Sequence, residues 1–315
     1  MSSETINFNF NDAAIENIKF YIAIENGNDE NYFNIEIDGS VNGVLISVLE
    51  NTLNEFKPKD KDNKDNYRKF EVSEKYGSEE LLYASLTSEE FKKLKDLYDN
   101  VKDIMPVGSN ILEKESNKII YYFAKFTDNS ERKIIGVRRA SQFKGFLSGQ
   151  NRLIRWIDDS LKAIDFNIFR LDRVFDFILT TNKIYILNPS SLEFIADLSS
   201  VVSEKAIERA QSLSNTLNFL SFDSIANFAS HNNRAARLLA AISIRNDISE
   251  IKKSKLVEAA NINKIELEDV DGKIMPKAGN EIALLELLDN RRYTVSLTDG
   301  DPCTFLAKSR QQVHS

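Results

Sequence analysis

The sequence is poor in the residues on which many metal and catalytic sites depend. Its 315 residues include one cysteine, Cys303, and two histidines, His231 and His314. A single cysteine excludes an intramolecular disulfide, and this composition leaves no tetrahedral cysteine and histidine set for a structural zinc ion. We expect Cys303 to be an ordinary packed residue, and His231 to lie at a helix end beside Asn232.

Long apolar runs are also missing. No stretch approaches the ~18 uninterrupted apolar residues of a membrane span. The first residues, MSSETINFNFND, lack the basic and apolar regions of a secretion signal. Together with the lone cysteine, these absences favour a reducing compartment, and we expect a cytoplasmic protein.

Nucleotide-binding and catalytic signatures are absent as well. The sequence has no G-x-x-x-x-G-K-[ST] loop and no G-x-G-x-x-G turn. Residues 145–149 (GFLSG) do not fit the G-x-S-x-G nucleophile elbow. We therefore predict no cofactor, no bound metal and no recognisable catalytic centre.

Carboxylates leave one enzyme class open, a metal-dependent nuclease, because such sites need acidic side chains converging on a divalent ion. The candidates lie in or near a predicted hairpin: Asp172, Asp176 and Lys183, with Asp158 and Asp159 upstream. In the alternative interpretation, Asp158 and Asp159 cap a helix or turn, and Asp172 pairs with Arg170 or Arg173. The spacing fits no strict nuclease template.

The patterning changes along the chain. Residues 18–24 and 32–38 alternate with period two and predict a hairpin, whereas residues 41–56 have apolar side chains at helical spacing. Thr87 and Glu90 match a helix capping box. Further strands are predicted before Pro189 and mainly helices after it. The sequence predicts a mixed α/β (α+β) fold with a strand-rich N-terminal lobe and a mixed strand and helix C-terminal lobe.

Charge is distributed unevenly. Residues 1–100 hold 11 lysines and arginines against 21 acidic residues, and residues 101–200 hold 15 against 12. We expect an acidic N-terminal lobe over residues 1–128 and a C-terminal region with a basic surface over residues 129–315.

The second half of the chain has an order of segments that resembles a known family. Residues 165–210 (DFNIFRLDRVFDFILTTNKIYILNPSSLEFIADLSSVVSEKAIERA) are followed by apolar segments at 238–251 and 257–265. A tail with LLELLD at 284–289, then RRY and AKSR, closes the pattern. This order, from about residue 158 to the C-terminus, resembles the KwaB-like proteins of Kiwa antiphage systems.

The resemblance implies a function that composition and spacing do not give. It implies a cytosolic, homo-oligomeric subunit of a two-component antiphage system, held at the inner face of the membrane by a small multi-pass membrane protein, KwaA. It also implies action on phage DNA as a binder.

The strongest local signal is basic. Residues 132–157 contain seven lysines and arginines and no acidic residue, with Phe143, Phe146 and Trp156 among them. Phosphate binding needs many cations with little competing acid, and arginine suits it because its guanidinium is bidentate. The window therefore predicts contacts to a nucleic-acid backbone, and charge reversal at Arg138 and Arg139 should weaken them.

The residues predicted to bind nucleic acid belong to this window and to three smaller basic groups. They are Lys133, Arg138, Arg139, Lys144, Arg152, Arg155, Arg170, Arg173, Arg234, Arg237, Arg291, Arg292, Lys308 and Arg310. A further alternative is a non-catalytic scaffold, in which the same cations bind the membrane partner, another acidic protein or the negatively charged membrane face.

Overall fold

The structure is a computed structural model. It describes residues 14–27, 29–57, 67–74, 76, 80–101, 118–140, 146–147, 153–157, 160–164, 168–295 and 303–307. The chain divides into two compact units. The first contains residues 1–70 and 78–197, and the second contains residues 71–77 and 198–315.

The first unit is rich in strands. They are β1 (Ile15–Asn26), β2 (Asp29–Ile35), β3 (Tyr67–Lys69), β4 (Leu81–Ser85), β5 (Ile119–Asp128), β6 (Lys133–Arg139), β7 (Phe146–Leu147), β8 (Leu153–Ile157), β9 (Ser160–Ile164), β10 (Ile168–Phe169), β11 (Phe177–Leu179) and β12 (Lys183–Ile186). Its helices are α1 (Gly39–Glu55), α2 (Lys92–Asn100) and α3 (Pro189–Ile195), with a 3-10 turn at Glu89–Phe91.

The described strands form one large sheet in the order β2-β1-β5-β6-β11-β12-β4-β3. Adjacent strands of this sheet are antiparallel, except that β3 and β4 are parallel. Two small antiparallel pairs, β7 with β10 and β8 with β9, are separate from it. The predicted mixed α/β class is confirmed, including the hairpin of β1 and β2.

Helix α1 covers one face of this sheet. Its apolar stripe lies in one core with side chains of β1, β5, β6 and β11, including Leu45, Leu49, Phe126 and Ile178. The Thr52 hydroxyl accepts a hydrogen bond from the backbone N–H of Phe175 at 2.9 Å, which ties α1 to the approach to β11. Side chains on the opposite face are buried too. Tyr21 and Phe123 are fully buried there, and their rings stack with centroids 4.8 Å apart.

Helix starts are fixed by local chemistry that the sequence signals only in part. Asp38 caps α1 by accepting hydrogen bonds from the N–H groups of Ser40 and Val41, both at 2.9 Å, and bonding to Ser40 lowers the Asp38 pKa. The predicted capping box at Thr87 is wrong. Helical structure begins only after Ser88, and the Thr87 hydroxyl lies 2.8 Å from that of Ser85.

The second unit consists mainly of helices. They are α4 (Ser199–Thr216), α5 (Asp223–Ser230), α6 (Asn233–Ser243), α7 (Lys253–Ile262) and α8 (Glu281–Leu288), with a 3-10 turn at Ile248–Glu250. Two hairpins complete it: β13 (Leu267–Val270) with β14 (Lys273–Pro276), and β15 (Arg292–Val295) with β16 (Cys303–Leu306). Within the part of the chain that is described, no helix combines the length and the apolarity needed to cross a bilayer.

Candidate nucleic-acid interface

Arg138 and Arg139 end strand β6, and they point to opposite faces of the sheet. Arg138 lies opposite Tyr122 of β5, and Arg139 lies opposite Tyr121. Because successive side chains of a strand alternate between faces, the two guanidinium groups diverge. In the sequence they form one basic pair, but in the structure their surroundings differ.

Arg138 is held by two aspartates. Its Nε lies 3.1 Å from Asp172 Oδ2, and its Nη1 lies 2.8 Å from Asp176 Oδ1. The Asp176 side chain is only 2% exposed, and that of Arg138 is 25% exposed. A cation in this position neutralises a buried carboxylate, so its first role is to stabilise the fold.

Asp176 organises the backbone around it. Its Oδ2 accepts the Arg139 N–H at 2.8 Å, and its Oδ1 accepts the Asn188 amide at 3.1 Å. Asn188 is also the N-cap of α3, since its Oδ1 accepts the N–H of Ser191. One buried carboxylate therefore fixes the end of β6 and the start of α3 relative to each other.

These contacts bear on the nuclease alternative. Asp172 and Asp176 face a guanidinium group, which a metal ion would have to displace. Lys183 lies at the far end of the hairpin. Phe177 pairs with Ile186, so Lys183 is four residues away from the position opposite Asp176, about 13 Å along the strands.

The other nuclease candidates add no metal site. Asp158 and Asp159 lie outside the described residues. Among the residues that are described, no group of three or more histidine, cysteine, aspartate or glutamate side chains is arranged to hold a metal ion. The alternative interpretation of Asp172 is confirmed for Arg170, whose Nη2 lies 3.6 Å from Asp172 Oδ1.

Arg139 lies on an aromatic ring. Its guanidinium carbon is 3.7 Å from the centroid of Phe194 in α3, and Phe194 is 45% exposed. This cation–π contact fixes the plane of the guanidinium while its N–H groups keep no carboxylate partner among the described residues. The group is thus oriented before any anion arrives.

Two further arginines lie on the segment that leads into β11. Arg170 has a side chain that is 56% exposed, and its one ion-pair contact among the described residues is the long one to Asp172. Arg173 is exposed, and within the described part of the chain it has no ion-pair partner. We call Arg139, Arg170 and Arg173 the arginine patch.

The charge balance around the patch is positive. Four arginines (Arg138 and the patch) and two aspartates (Asp172 and Asp176) leave a net charge of +2. Both aspartates contact Arg138, so the charge of the patch is only partly compensated. An arrangement of this kind attracts phosphate groups and binds them through bidentate hydrogen bonds.

Lys133 is committed to an internal contact. Its Nζ donates to the Tyr98 carbonyl at 2.7 Å and lies 4.2 Å from the Tyr98 ring centroid. Burial lowers the Lys133 pKa, and nearby Lys125 adds to this effect. Lys133 therefore stabilises the packing of α2 on the sheet more than it offers a free cation.

The arginines predicted in the second unit form a separate group around a buried carboxylate. Glu286 of α8, 2% exposed, contacts both Arg234 of α6 and Arg292 of β15, the latter at 2.9 Å. Arg291 pairs with Asp289. Arg237 is exposed on α6.

Several predicted residues cannot be placed at the level of side chains. Lys144, Arg152, Lys308 and Arg310 lie outside the described residues, and Arg155 lies in β8, where only the backbone is described. His231 ends α5, as predicted, with its Nδ1 3.0 Å from the Asn227 carbonyl.

Phe194 and Asn188 belong to this site although the sequence does not predict them there. Each is separated from Arg139 by about fifty residues of sequence, and no local pattern links them. Only the pairing of β6 with β11, followed by β12 and α3, brings them together.

The described residues thus define a mixed α/β protein with a partly compensated arginine patch at the ends of the central strands β6 and β11 of a largely antiparallel sheet. Residues 116–298 match the family described as Kiwa protein KwaB-like. The match covers more than half of the chain, and the protein belongs to this family. The resemblance inferred from the sequence is confirmed, and the family indicates a role in Kiwa antiphage defence. No match was found among curated proteins or among solved structures.

Proposed function

We propose that this protein is the DNA-binding subunit of a membrane-associated Kiwa defence complex. In this proposal it engages phage DNA through phosphate contacts and does not cleave it. The observation that carries the proposal is the arginine patch, in which Arg139, Arg170 and Arg173 have free hydrogen-bonding capacity beside already neutralised aspartates.

The chemistry of the patch favours backbone contacts over base reading. Arginine forks match phosphate oxygens, and the cation–π contact at Phe194 reduces the conformational entropy that Arg139 loses on binding. Contacts of this kind position a protein on DNA without reading sequence. We therefore expect similar affinity for unrelated duplexes of equal length.

The same geometry supports the proposed absence of cleavage. Asp172 and Asp176 are bound to Arg138, and their oxygens also serve the backbone and Asn188. A carboxylate pair in this state is a poor ligand set for Mg²⁺, which needs near-ideal octahedral oxygen coordination.

The family also supports the rest of the proposed assembly. We propose that a small multi-pass membrane protein of the KwaA type recruits this chain to the inner face of the membrane, and that the chain is a homo-oligomer. Co-expression with that partner should move the protein into the membrane fraction. If it stays in the supernatant and remains monomeric by light scattering, this part of the proposal is wrong.

The main test measures the DNA affinity of a variant in which the three arginines of the patch are replaced by glutamine. The triple variant Arg139→Gln, Arg170→Gln and Arg173→Gln should bind a labelled duplex at least about tenfold more weakly at ~0.1 M salt. A matched triple variant, Lys252→Gln, Lys255→Gln and Lys273→Gln, removes the same charge from exposed positions. It should bind like the wild type.

Two outcomes would contradict the proposal. An equal loss in both triple variants would mean that net charge alone acts, with no site at the patch. Cleavage of plasmid DNA by excess wild-type protein in Mg²⁺ or Mn²⁺ would replace the binder with a nuclease.

A further inference from the structure

The hairpin of β13 and β14 in the second unit has one strand edge that no other described strand covers. The far edge of β14 is occupied, because the Ile274 N–H donates to the Phe219 carbonyl at 2.9 Å and the Ile274 carbonyl accepts the Ser221 N–H at 2.8 Å. On the other side, within the part of the chain that is described, the sheet ends at β13. A strand edge of this kind is a template for pairing with another strand.

The register shows which backbone groups of β13 point outward. In an antiparallel ladder, opposite residues alternate between pairs that exchange hydrogen bonds and pairs that do not. Glu266 belongs to a bonded pair, since its carbonyl accepts the Lys277 N–H at 3.0 Å. Leu267 and Asp269 therefore belong to non-bonded pairs of β13 with β14, and their N–H and C=O groups point away from β14.

A groove lies along this edge. Residues 264–269 all line it, as expected where the edge of a strand, and not one of its faces, forms the wall. The opposite wall is one stripe of α7, formed by Lys253, Val257 and Asn261 at intervals of four residues. The volume of the groove is ≈ 570 Å³, within the ~300–1,000 Å³ range of ligand clefts. The groove is therefore large enough for a segment of chain between the helix and the strand.

The groove offers apolar contacts as well as backbone pairing. Val257 and Leu267 lie on its two walls. Ile265 and Ile274, which are 3% and 4% exposed, complete the apolar part of the lining. Peptides that add a strand to a sheet edge gain affinity from main-chain hydrogen bonds and specificity from pockets for alternate side chains. The edge and the groove provide both.

The charges on the edge indicate the chemistry of the partner. Glu266 is paired with Lys277, and Asp269 with Lys253, each at 3.0 Å. Glu268 lies between them, is exposed, and has no ion-pair partner among the described residues. A lysine or arginine directly opposite Glu268 on an added strand would form a favourable cross-strand pair.

The same charges disfavour a second copy of this chain. An antiparallel two-fold pairing of two β13 edges joins the outward groups of Leu267 and Asp269 with those of the copy. The registers that do so set Glu268 opposite its own copy, Asp269 opposite its own copy, or Glu266 opposite the copy of Glu268. Each register places like charges directly opposite one another, which is destabilising. The edge thus suits a different, basic strand.

We propose that the edge of β13 and the adjoining groove bind an extended segment of a protein partner by strand addition. The segment has a lysine or arginine opposite Glu268 and an apolar side chain next to it for the groove. The proposal does not depend on DNA binding, because none of its residues belongs to the arginine patch.

The test measures binding of a fluorescent peptide, TVTKVTV, to the full chain by anisotropy. Its lysine supplies the basic residue, and its β-branched residues favour an extended strand. Glu268→Lys should weaken binding by at least about threefold. The same variant should bind the peptide TVTEVTV more tightly than the wild type does, because the cross-strand charge pair is restored. Glu204→Lys makes the same charge change at an exposed position of α4 and should leave the affinity for TVTKVTV unchanged.

Amide exchange separates strand addition from attraction between charges alone. The N–H groups of Leu267 and Asp269 should exchange quickly in the free protein and at least about tenfold more slowly at saturating peptide. Leu267→Pro removes one outward donor without removing a bond to β14, because proline is tolerated at the open side of an edge strand. This variant should also bind TVTKVTV at least about threefold more weakly.

Two results would overturn the proposal. One is equal binding of TVTKVTV and TVTEVTV to the wild type, or no binding of either peptide. The other is slow exchange of the Leu267 and Asp269 amides in the free protein, because another segment or a second copy then already covers the edge. The arginine-patch variant should bind TVTKVTV as the wild type does, which separates this result from a failure of the proposed function.

Discussion

Replacing Arg138 should damage stability far more than replacing its neighbour Arg139. Arg138→Gln removes the cation from Asp176, whose side chain is 2% exposed, and from Asp172, which is 15% exposed. Breaking a buried pair by removing one partner costs about 3–5 kcal/mol. The lower end applies, because the Arg139 N–H and the Asn188 amide still bind Asp176. The more exposed Asp172 contact adds at most ~1 kcal/mol.

The control is Arg139→Gln, on the same strand and with the same charge change. It loses the contact to the half-exposed Phe194 ring, which is worth about 0.5–1 kcal/mol. Urea unfolding followed by circular dichroism measures both variants, and the midpoint should move with little change in slope.

A double-mutant cycle tests the cause. The double variant Arg138→Gln and Asp176→Asn also lacks the buried charge. Its loss of unfolding free energy should therefore be smaller than the sum of the two single-variant losses, by ~1 kcal/mol or more. If Arg138→Gln costs no more than Arg139→Gln, or if the two losses are additive, then Arg138 does not act through Asp176 and the assignment of its role is wrong.

Three other predictions follow from single contacts. Gly136→Ala should lower the unfolding free energy by about 1–3 kcal/mol, because an added Cβ would lie 2.4 Å from the Phe175 ring. Gly43→Ala, in the second turn of α1 where an added Cβ would meet no atom within 4 Å, should raise it by ~1 kcal/mol. Chemical denaturation compares the two variants. Burial raises the pKa of Tyr32 to about 12, above its unfolded value of ~10. The folded state therefore holds that proton more tightly, and this stability is complete below pH ~10 and lost as pH rises through the folded pKa. Tyr32→Phe should flatten this alkaline decline in unfolding free energy, and an unchanged decline would contradict the cause. Glu286→Ala removes a buried carboxylate shared by two arginines and should cost about 2–4 kcal/mol in a urea melt, whereas a loss below ~1 kcal/mol would mean that those ion pairs are not stabilising.

Hydrophobic periodicity predicts many of the strands and helices of the fold. The alternation in residues 18–24 lies within β1, and that in 32–38 overlaps β2, which begins earlier and ends at Ile35. The helical spacing of 41–56 corresponds to α1 over Gly39–Glu55. Burial of one face imposes these periods locally, so they can be read without knowledge of distant segments. The capping box at Thr87 failed because hydroxyl pairing with Ser85 and a 3-10 turn took its place.

The organisation of the chain depended on contacts that composition does not contain. The distribution of charged residues predicts a domain boundary between residues 128 and 129. This position lies in the turn between the paired strands β5 and β6. The compact units divide instead after residue 197 and include residues 71–77 in the second unit. The acidic lobe is thus a feature of composition, whereas the compact unit is set by strand pairing.

The candidate site was predicted in outline and not in detail. The basic window correctly drew attention to the end of β6, but consecutive arginines there serve a buried ion pair and an exposed ring contact. Strand alternation predicts that the two diverge. Which of them meets Asp176 depends on the pairing of β6 with β11, which lies some forty residues away in sequence.

The most direct test of DNA binding through the arginine patch is the salt dependence of duplex affinity. The logarithm of the binding constant falls with the logarithm of salt by about 0.9 for each phosphate contact. If Arg139, Arg170 and Arg173 each bind one phosphate, the triple glutamine variant should have a slope shallower than wild type by between 2 and 3 units, by this same ~0.9 per contact. The Lys252, Lys255 and Lys273 control should keep the wild-type slope. Equal slopes for the patch variant and the wild type would contradict the account.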